Sequence, residues 1–352
     1  MPTARAELVA HWLEQFAPRA RLQCLAVEHQ GQLVAALPLI EQRLGRVFRV
    51  GGLPRNDWSP GGELLLDPAT DVQQALEILV RGMRELAWPM LWLNEVELDA
   101  AHSQALLAAF DRAGMTVDVY PRFDVGWVET TGCWTDYEMS RSKNFRRRMN
   151  RLCKSSKRDG LTGPAIHDHA SPEELDRLLR RAFEVEDRSW KGRNRSSVLQ
   201  TPGMYDFYFR QAKILAELGH LQLSFLESPQ GAAAFEYGLI AKNVYHSFKV
   251  GYDDQFAKHS PGRLLLSLIL ERLFQSTQWQ AVDFMGPLEP SMSSFVTSSR
   301  TFGRIVVAPR SMVGRTLLRC YKTCWPTIRK LRESIRPDRI LSGTARRHRA
   351  NA

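Results

Sequence analysis

The sequence has no long apolar run, no paired-cysteine motif and no Walker-type phosphate loop. No stretch of its 352 residues approaches the roughly 18 apolar residues of a membrane-spanning helix. The five cysteines are scattered without a CxxC pair, which predicts free thiols in a reducing compartment and no metal site. The first residues lack the apolar core of a signal peptide, so we expect a cytoplasmic protein.

Positive charge is concentrated in two segments. The net charge is +10, but residues 304–352 hold thirteen Lys and Arg against two acidic residues. The segment 139–158 holds nine Lys and Arg and no acidic residue. Since the remainder is net acidic, each basic segment has either an anionic ligand or a solvated face paired to the acidic body.

Hydrophobic periodicity predicts an α/β chain in two similar halves. A basic helix over Tyr137–Arg158 opens the second half, and two strands are expected within residues 116–127 of the first. Residues 232–241 and 244–252 are predicted to pair as a hairpin.

The segment Val250–Gly286 combines a strand, a polar loop, an apolar helix and a short buried strand. Ser260 suits an N-cap, Pro261 the first helical turn, and Gly262 a close approach of a ligand to the backbone. A helix start of this kind favours a phosphate or pyrophosphate, although an ordinary capped helix has the same residues.

Four segments in order resemble the GNAT acetyltransferase domain of cellulose- and exopolysaccharide-biosynthesis enzymes, a domain related to Fem-type aminoacyl transferases. They are the basic segment 141–160, the Glu-Val-Glu-Asp-Arg-Ser-Trp-Lys stretch 184–191, the Ser-Pro-Gly turn 260–262 and Asp-Phe-Met-Gly at 283–286. The family usually has a Tyr-Lys or Phe-Lys pair soon after the last glycine, but Pro-Leu-Glu-Pro follows here.

The resemblance implies tandem GNAT-like (acyl-CoA N-acyltransferase) halves, with mixed sheets flanked by helices. The expected divisions are a degenerate half over 1–135, an acyl-CoA-binding half over 136–308 and a basic helix and tail over 309–352. It implies acetyl-CoA or another acyl-CoA as donor, with these residues around it: Lys258, His259, Ser260, Gly262, Arg263, Leu264, Asp283 and Gly286.

No diagnostic catalytic pair is visible in the sequence. Acyl transfer from a thioester needs a base near the nucleophile and a proton donor for the leaving group. Glu236 is the candidate base, unless it is an exposed strand position, and Tyr237 and Tyr252 are candidate acids or donors, with His246 alternating between them. Three residues are candidates for substrate binding: Arg146, Trp190 and Lys191, the last two in a basic loop.

The predicted reaction is acyl transfer to a hydroxyl or amine of a sugar or polysaccharide precursor in envelope or exopolysaccharide synthesis. The expected partners are an anionic or carbohydrate acceptor and, through the basic amphipathic segment 311–335, an anionic membrane at its inner face. Two alternatives stay open: a Fem-like transferase using aminoacyl-tRNA, and a non-catalytic GNAT-fold protein that binds nucleic acid or membrane.

Overall fold

The computed structural model describes residues 1–44, 48–168, 170–308 and 313–323. The strands are β1 (Leu22–His29), β2 (Gln32–Leu44), β3 (Phe48–Gly52), β4 (Leu65–Leu66), β5 (Leu91–Glu97), β6 (Thr116–Glu129), β7 (Thr162–His167), β8 (Leu221–Ser228), β9 (Gly231–Ala241), β10 (Val244–Tyr252), β11 (Ala281–Pro287) and β12 (Ser298–Ala308). The helices are α1 (Ala6–Phe16), α2 (Val72–Met83), α3 (Ala101–Arg112), α4 (Trp134–Ser140), α5 (Lys143–Arg158), α6 (Pro172–Asp187), α7 (Trp190–Arg193), α8 (Met204–Glu217), α9 (Pro261–Phe274) and α10 (313–323). The predicted α/β class is confirmed.

The chain divides into two compact units. The large unit comprises residues 1–18 and 124–300, and the small unit comprises residues 19–123 with the described residues from 301 onward. Helix α1 folds with the large unit rather than with the residues that follow it. His11 of α1 stacks on Phe207 with ring centroids 4.6 Å apart, and its Nε2 lies 2.9 Å from the Phe207 carbonyl oxygen.

The large unit contains a mixed sheet in the order β6-β11-β10-β9-β8-β7. Strands β10 and β11 are parallel, and the neighbouring pairs are antiparallel. Successive residues of β9 face opposite sides of this sheet. Phe235 and Tyr237 contact Phe183 of α6 and Tyr208 of α8, while Ala234 lies in a buried cluster with the leucines of α9.

The small unit contains the strand order β1-β2-β3-β5-β12-β6, with β4 beside β2. Helices α2 and α3 contribute Leu76, Leu79 and Phe110 to its core. Helix α10 packs on the same unit through Leu318 and Tyr321, which are 2% and 6% exposed. These two side chains are therefore covered by protein; residues 311–312 and 324–335 of the predicted membrane segment lie outside the described residues.

The predicted hairpin is confirmed as β9 and β10. Lys242 and Asn243 connect the strands with φ values of 50° and 60°, as expected at both central positions of a type I′ turn.

Two other predicted elements differ from the structure. The single basic helix expected over Tyr137–Arg158 is two helices, because Arg141 is extended and the Ser142 side chain accepts a hydrogen bond from the N–H of Phe145 to begin α5. The strand pair expected within 116–127 is one strand, β6.

Candidate functional site

The turn that joins β10 to α9 keeps the predicted proline at the first helical position but not the predicted cap. Ser260 has left-handed φ and ψ of 47° and 55°, and its hydroxyl makes no capping hydrogen bond. Its carbonyl instead accepts the N–H groups of Arg263 and Leu264 at 3.0 and 3.1 Å. Among the described residues, the N–H of Gly262 has no hydrogen-bond partner. The helix therefore offers an incoming anion one free N–H and the positive end of its dipole.

Gly262 leaves open space at this helix start. A Cβ placed on it would meet only the Cγ1 atom of Val250, at an ordinary distance of 3.7 Å. Leu264, by contrast, is 3% exposed and faces the core, so only its backbone could belong to a binding site.

The cationic side chains of the turn already have partners. One carboxylate oxygen of Asp159, at the end of α5, lies 3.1 Å from both the Lys258 Nζ and the His259 Nε2. Hydrogen bonds from Lys258 and Arg158 lower the pKa of Asp159. The Arg263 guanidinium contacts the carbonyl of Ser291. Lys258 and His259 therefore share one carboxylate within the protein, whereas Arg263 keeps its positive charge beside a neutral carbonyl.

Strands β10 and β11 diverge soon after they meet. Their register contains three pairs, of which His246 with Asp283 is the last, although β10 continues to Tyr252. Met285 adopts a φ of 58°, and its N–H donates to the Asp283 Oδ1 at 2.8 Å. A Cβ on Gly286 would have 3.9 Å to its nearest neighbour, so the backbone there is accessible. Beyond this pair the two strands form no ladder with each other, and we call the separation between them the gap; Val250, on the β10 side, lies beside Gly262 at the start of α9.

The carboxylate of Asp283 lies next to the His246 side chain. The His246 Nδ1 is 3.4 Å from the Asp283 Oδ2. The two residues are 8% and 9% exposed.

The predicted catalytic residues of β9 do not share one site. Glu236 faces α9, whereas Tyr237 faces α8 and donates its hydroxyl to Gln211 at 3.3 Å. Glu236 is 1% exposed, which excludes the exposed-strand interpretation. Tyr252 is partly buried against the cluster around α9.

Glu236 is a buried acid with unusual surroundings. Burial raises its pKa to about 7, and the nearby hydroxyls of Ser247 and Tyr245 offset part of the rise. Neither carboxylate oxygen makes a hydrogen bond of acceptable geometry among the described residues. Such a group destabilises the fold when it is ionised.

A buried ion network occupies the opposite face of β10, and sequence reasoning missed two of its members. The Glu186 Oε1 lies 2.7 Å from the Lys191 Nζ and 3.1 Å from the Lys249 Nζ, and its Oε2 accepts the N–H of Val198 at 2.9 Å. Glu186 is fully buried. Burial, together with Lys191, lowers the pKa of Lys249 to about 8, against the attraction of Glu186. The lysine between the apolar residues Phe248 and Val250 of β10 is the sequence signal that could have indicated this network.

The stretch 184–191 braces the strand and turn of the candidate site. Besides the network around Glu186, Arg188 pairs with Asp253, and Arg193, two residues after this stretch, pairs with Asp254. Trp190 and Lys191 begin the short helix α7 rather than a solvated loop. Lys191 therefore has a structural partner within the protein.

Helix α5 presents an exposed basic face. Arg146 donates to the sulfur of Met139, but the other basic residues before Arg158 form no ion pair within the described residues: Lys143, Arg147, Arg148, Arg151, Lys154 and Lys157. An open groove of about 550 Å³ follows this face, lined by Arg147, Asn150, Arg151, Lys154, Ser155 and Arg158. Since like charges one turn apart repel each other, this face favours an anionic ligand.

Neither a metal-binding cluster nor a membrane-spanning helix occurs in residues 1–44, 48–168, 170–308 and 313–323. No group of three or more His, Cys, Asp or Glu side chains there is placed to hold a metal ion. No helix there is long and apolar enough to cross a membrane.

Comparison with known proteins identifies a domain at this site. Residues 140–290 match the family described as acetyltransferase (GNAT) domain. No curated protein matches the sequence. The matched residues include α5, the braced turn, α9 and the diverging strands.

Solved structures share the fold at low sequence identity. FemX is 10% identical with a TM-score of 0.57, and the alignment covers 84% of this chain and 90% of that one. The C-terminal domain (DUF2156) of a putative lysylphosphatidylglycerol synthetase from Agrobacterium fabrum is 12% identical with a TM-score of 0.54, covering 91% and 96%. A conserved protein of unknown function from Bacteroides thetaiotaomicron VPI-5482 is 12% identical with a TM-score of 0.51, covering 86% and 89%. The chain therefore carries a GNAT-type acetyltransferase domain in a fold shared with FemX, and the protein is an acyltransferase.

Proposed function

We propose that the protein transfers an acetyl or other acyl group from acyl-CoA to a hydroxyl or amine of a sugar or polysaccharide precursor in envelope or exopolysaccharide synthesis. The observation that carries this proposal is the gap between β10 and β11, whose β10 side lies beside the start of α9 inside the matched GNAT domain. The free N–H of Gly262 and the helix dipole suit a pyrophosphate. The unpaired edges of the diverging strands suit the amide groups of a pantetheine arm.

The donor half of the proposal can be tested by isothermal titration of acetyl-CoA and CoA. Gly262→Ala adds a group that the space accommodates, so its Kd should stay near that of the wild type. Gly262→Trp extends a bulky group into the same space and should weaken binding by at least about 50-fold, or 2.3 kcal/mol by RT ln 50. Equal melting temperatures of the two variants would show that Trp blocks a site rather than unfolding the protein.

An absence of binding to the wild type would contradict acyl-CoA as the donor. Equal Kd values for the Ala and Trp variants would place the CoA pyrophosphate away from α9. The acceptor is then identified with a panel of sugars and amines, in which CoA release above the rate in water marks a substrate.

The basic face of α5 supports a second candidate function, transfer from aminoacyl-tRNA as in Fem-type enzymes. Asp159 at the end of α5 contacts Lys258 and His259, so this face adjoins the proposed donor turn. The fold shared with FemX agrees with this donor but is evidence of fold only. An anionic lipid headgroup carries negative charge as tRNA does and is a further candidate partner for this face. A second structure of similar fold is part of a putative lysylphosphatidylglycerol synthetase.

Salt-dependent tRNA binding discriminates between the donors. If tRNA lies along α5, the variant Arg147→Gln/Arg151→Gln/Lys154→Gln should reduce the slope of log Kd against log salt by about 2 to 3. The matched control is Arg177→Gln/Arg180→Gln on α6, where both arginines face carboxylates and should leave the slope unchanged. If tRNA binds weakly and both variants show the same affinity and the same salt slope, tRNA is not the donor.

A further inference from the structure

We propose that His246 is the general base of the acyl transfer and that Asp283 is its positioning residue; this inference rests on the proposed function. The two residues form the last rung between β10 and β11 before the strands diverge. Gly262 lies beside Val250, four residues farther along β10, which corresponds to about 13 Å of extended strand. A donor held by its pyrophosphate at the start of α9 would therefore extend its reactive end along the gap toward His246.

The two carboxylate oxygens of Asp283 face different groups. One Asp283 oxygen accepts the N–H of Met285 at 2.8 Å, and the other lies 3.4 Å from the His246 Nδ1. Among the described residues, the buried Nδ1 of His246 has no hydrogen-bond partner of good geometry. A small rotation of the imidazole ring would let this nitrogen donate a hydrogen bond to Asp283. This arrangement favours the tautomer with the proton on Nδ1 and leaves Nε2 as the basic nitrogen.

His246 differs from Glu236 in access to the reacting groups. The His246 side chain is 10% exposed, whereas Glu236 is 1% exposed and faces the leucines of α9. His246 pairs with Leu239, on the face of β9 that also carries Tyr237, so it lies on the sheet face opposite α9.

The proposed step balances without any further reactant. The His246 Nε2 takes the proton of the acceptor hydroxyl or amine as its oxygen or nitrogen bonds to the thioester carbonyl carbon. The carbon–sulfur bond then breaks, and the imidazolium returns the proton to the departing thiolate. Asp283 stabilises the imidazolium between these two transfers.

The test uses the full chain, acetyl-CoA as donor and water as a probe acceptor, with release of CoA thiol as the signal. His246→Gln should lower thiol release by about 100-fold, and Asp283→Asn by about 10-fold or more. The matched control is His11→Gln, which replaces a buried histidine of the same unit that lies outside the gap and should leave the rate unchanged. The Kd for acetyl-CoA, measured by titration, should stay within about threefold of the wild type in all three variants.

A second readout does not depend on turnover. Diethyl pyrocarbonate modifies neutral imidazole, and mass spectrometry resolves each site. Bound CoA should slow modification of His246 and leave exposed His29 unaffected. Binding of acetyl-CoA with full turnover in His246→Gln, or with no protection of His246, would overturn the proposed base, whereas failure of the wild type to bind acetyl-CoA would overturn the proposed donor.

Discussion

Replacing Glu236 by glutamine should stabilise the protein at neutral and alkaline pH. The carboxylate is 1% exposed, and neither of its oxygens is satisfied by a hydrogen bond within the described residues. Glutamine has the same shape but carries no charge. The substitution therefore removes the desolvation penalty of the ionised form while leaving the packing under α9 unchanged.

The magnitude follows from the pKa of Glu236. Burial raises it from 4.5 to about 7, and a shift of that size corresponds to about 3 kcal/mol. Between these pH values the folded state binds more protons than the unfolded state, so the free energy of unfolding falls as the pH rises. The wild type should lose about 3 kcal/mol between pH 4.5 and pH 8 through this group alone, and Glu236→Gln should not.

Urea unfolding of the wild type and of Glu236→Gln, followed by circular dichroism at pH 5, 6, 7 and 8, gives the difference between their free energies of unfolding. Contributions of all other titrating groups are shared by the two proteins and cancel in this difference. The matched control is Glu227→Gln on β8, where the carboxylate pairs with Arg181 and the substitution should destabilise the fold. A Glu236→Gln protein that is less stable than the wild type at pH 8, or a difference that does not change with pH, would refute this reasoning.

Two further predictions concern the sheet of the large unit. The pKa of Lys249 is lowered from 10.5 to about 8. Between these pH values the unfolded state binds more protons than the folded state, so the free energy of unfolding should rise with pH. Lys249→Met should reduce this rise by about 2 kcal/mol between pH 8 and pH 10, whereas Lys213→Met on the exposed surface should leave it unchanged. Gly238→Ala places a Cβ 2.2 Å from the buried hydroxyl oxygen of Tyr245 and should lower the free energy of unfolding by about 2 kcal/mol, whereas Gly262→Ala should change it by under about 1 kcal/mol. Both are measured by urea unfolding; a slope that persists in Lys249→Met, or a Gly238→Ala protein as stable as Gly262→Ala, would contradict them.

The local elements of the large unit followed from local residue chemistry. The hairpin of β9 and β10 could be predicted because apolar periodicity and a Lys-Asn turn act over neighbouring residues. Pro261 similarly identified the start of α9. The break between α4 and α5 was missed because basic residues and good helix formers continue across it, and only the geometry of Ser142 reveals the new cap.

The roles of individual side chains were less accessible to sequence reasoning. The stretch 184–191 was recognisable as a motif, but its spacing did not show that Glu186 pairs with Lys249, more than 60 residues later. The charge expected from Lys258 and His259 depends on Asp159, which comes from a different helix. Partners that meet only through tertiary packing leave no local pattern.

The sequence by itself determined the α/β class, the turn before α9 and the concentration of positive charge on α5, because these depend on composition and on contacts within a few residues. Only the tertiary structure decided which polar groups are buried, compensated or adjacent. It placed Glu236 and Tyr237 on opposite faces of β9 and brought His246 against Asp283. Strand pairing and the divergence of β10 from β11 control these relations, since burial and charge compensation depend on distance in space and not along the chain.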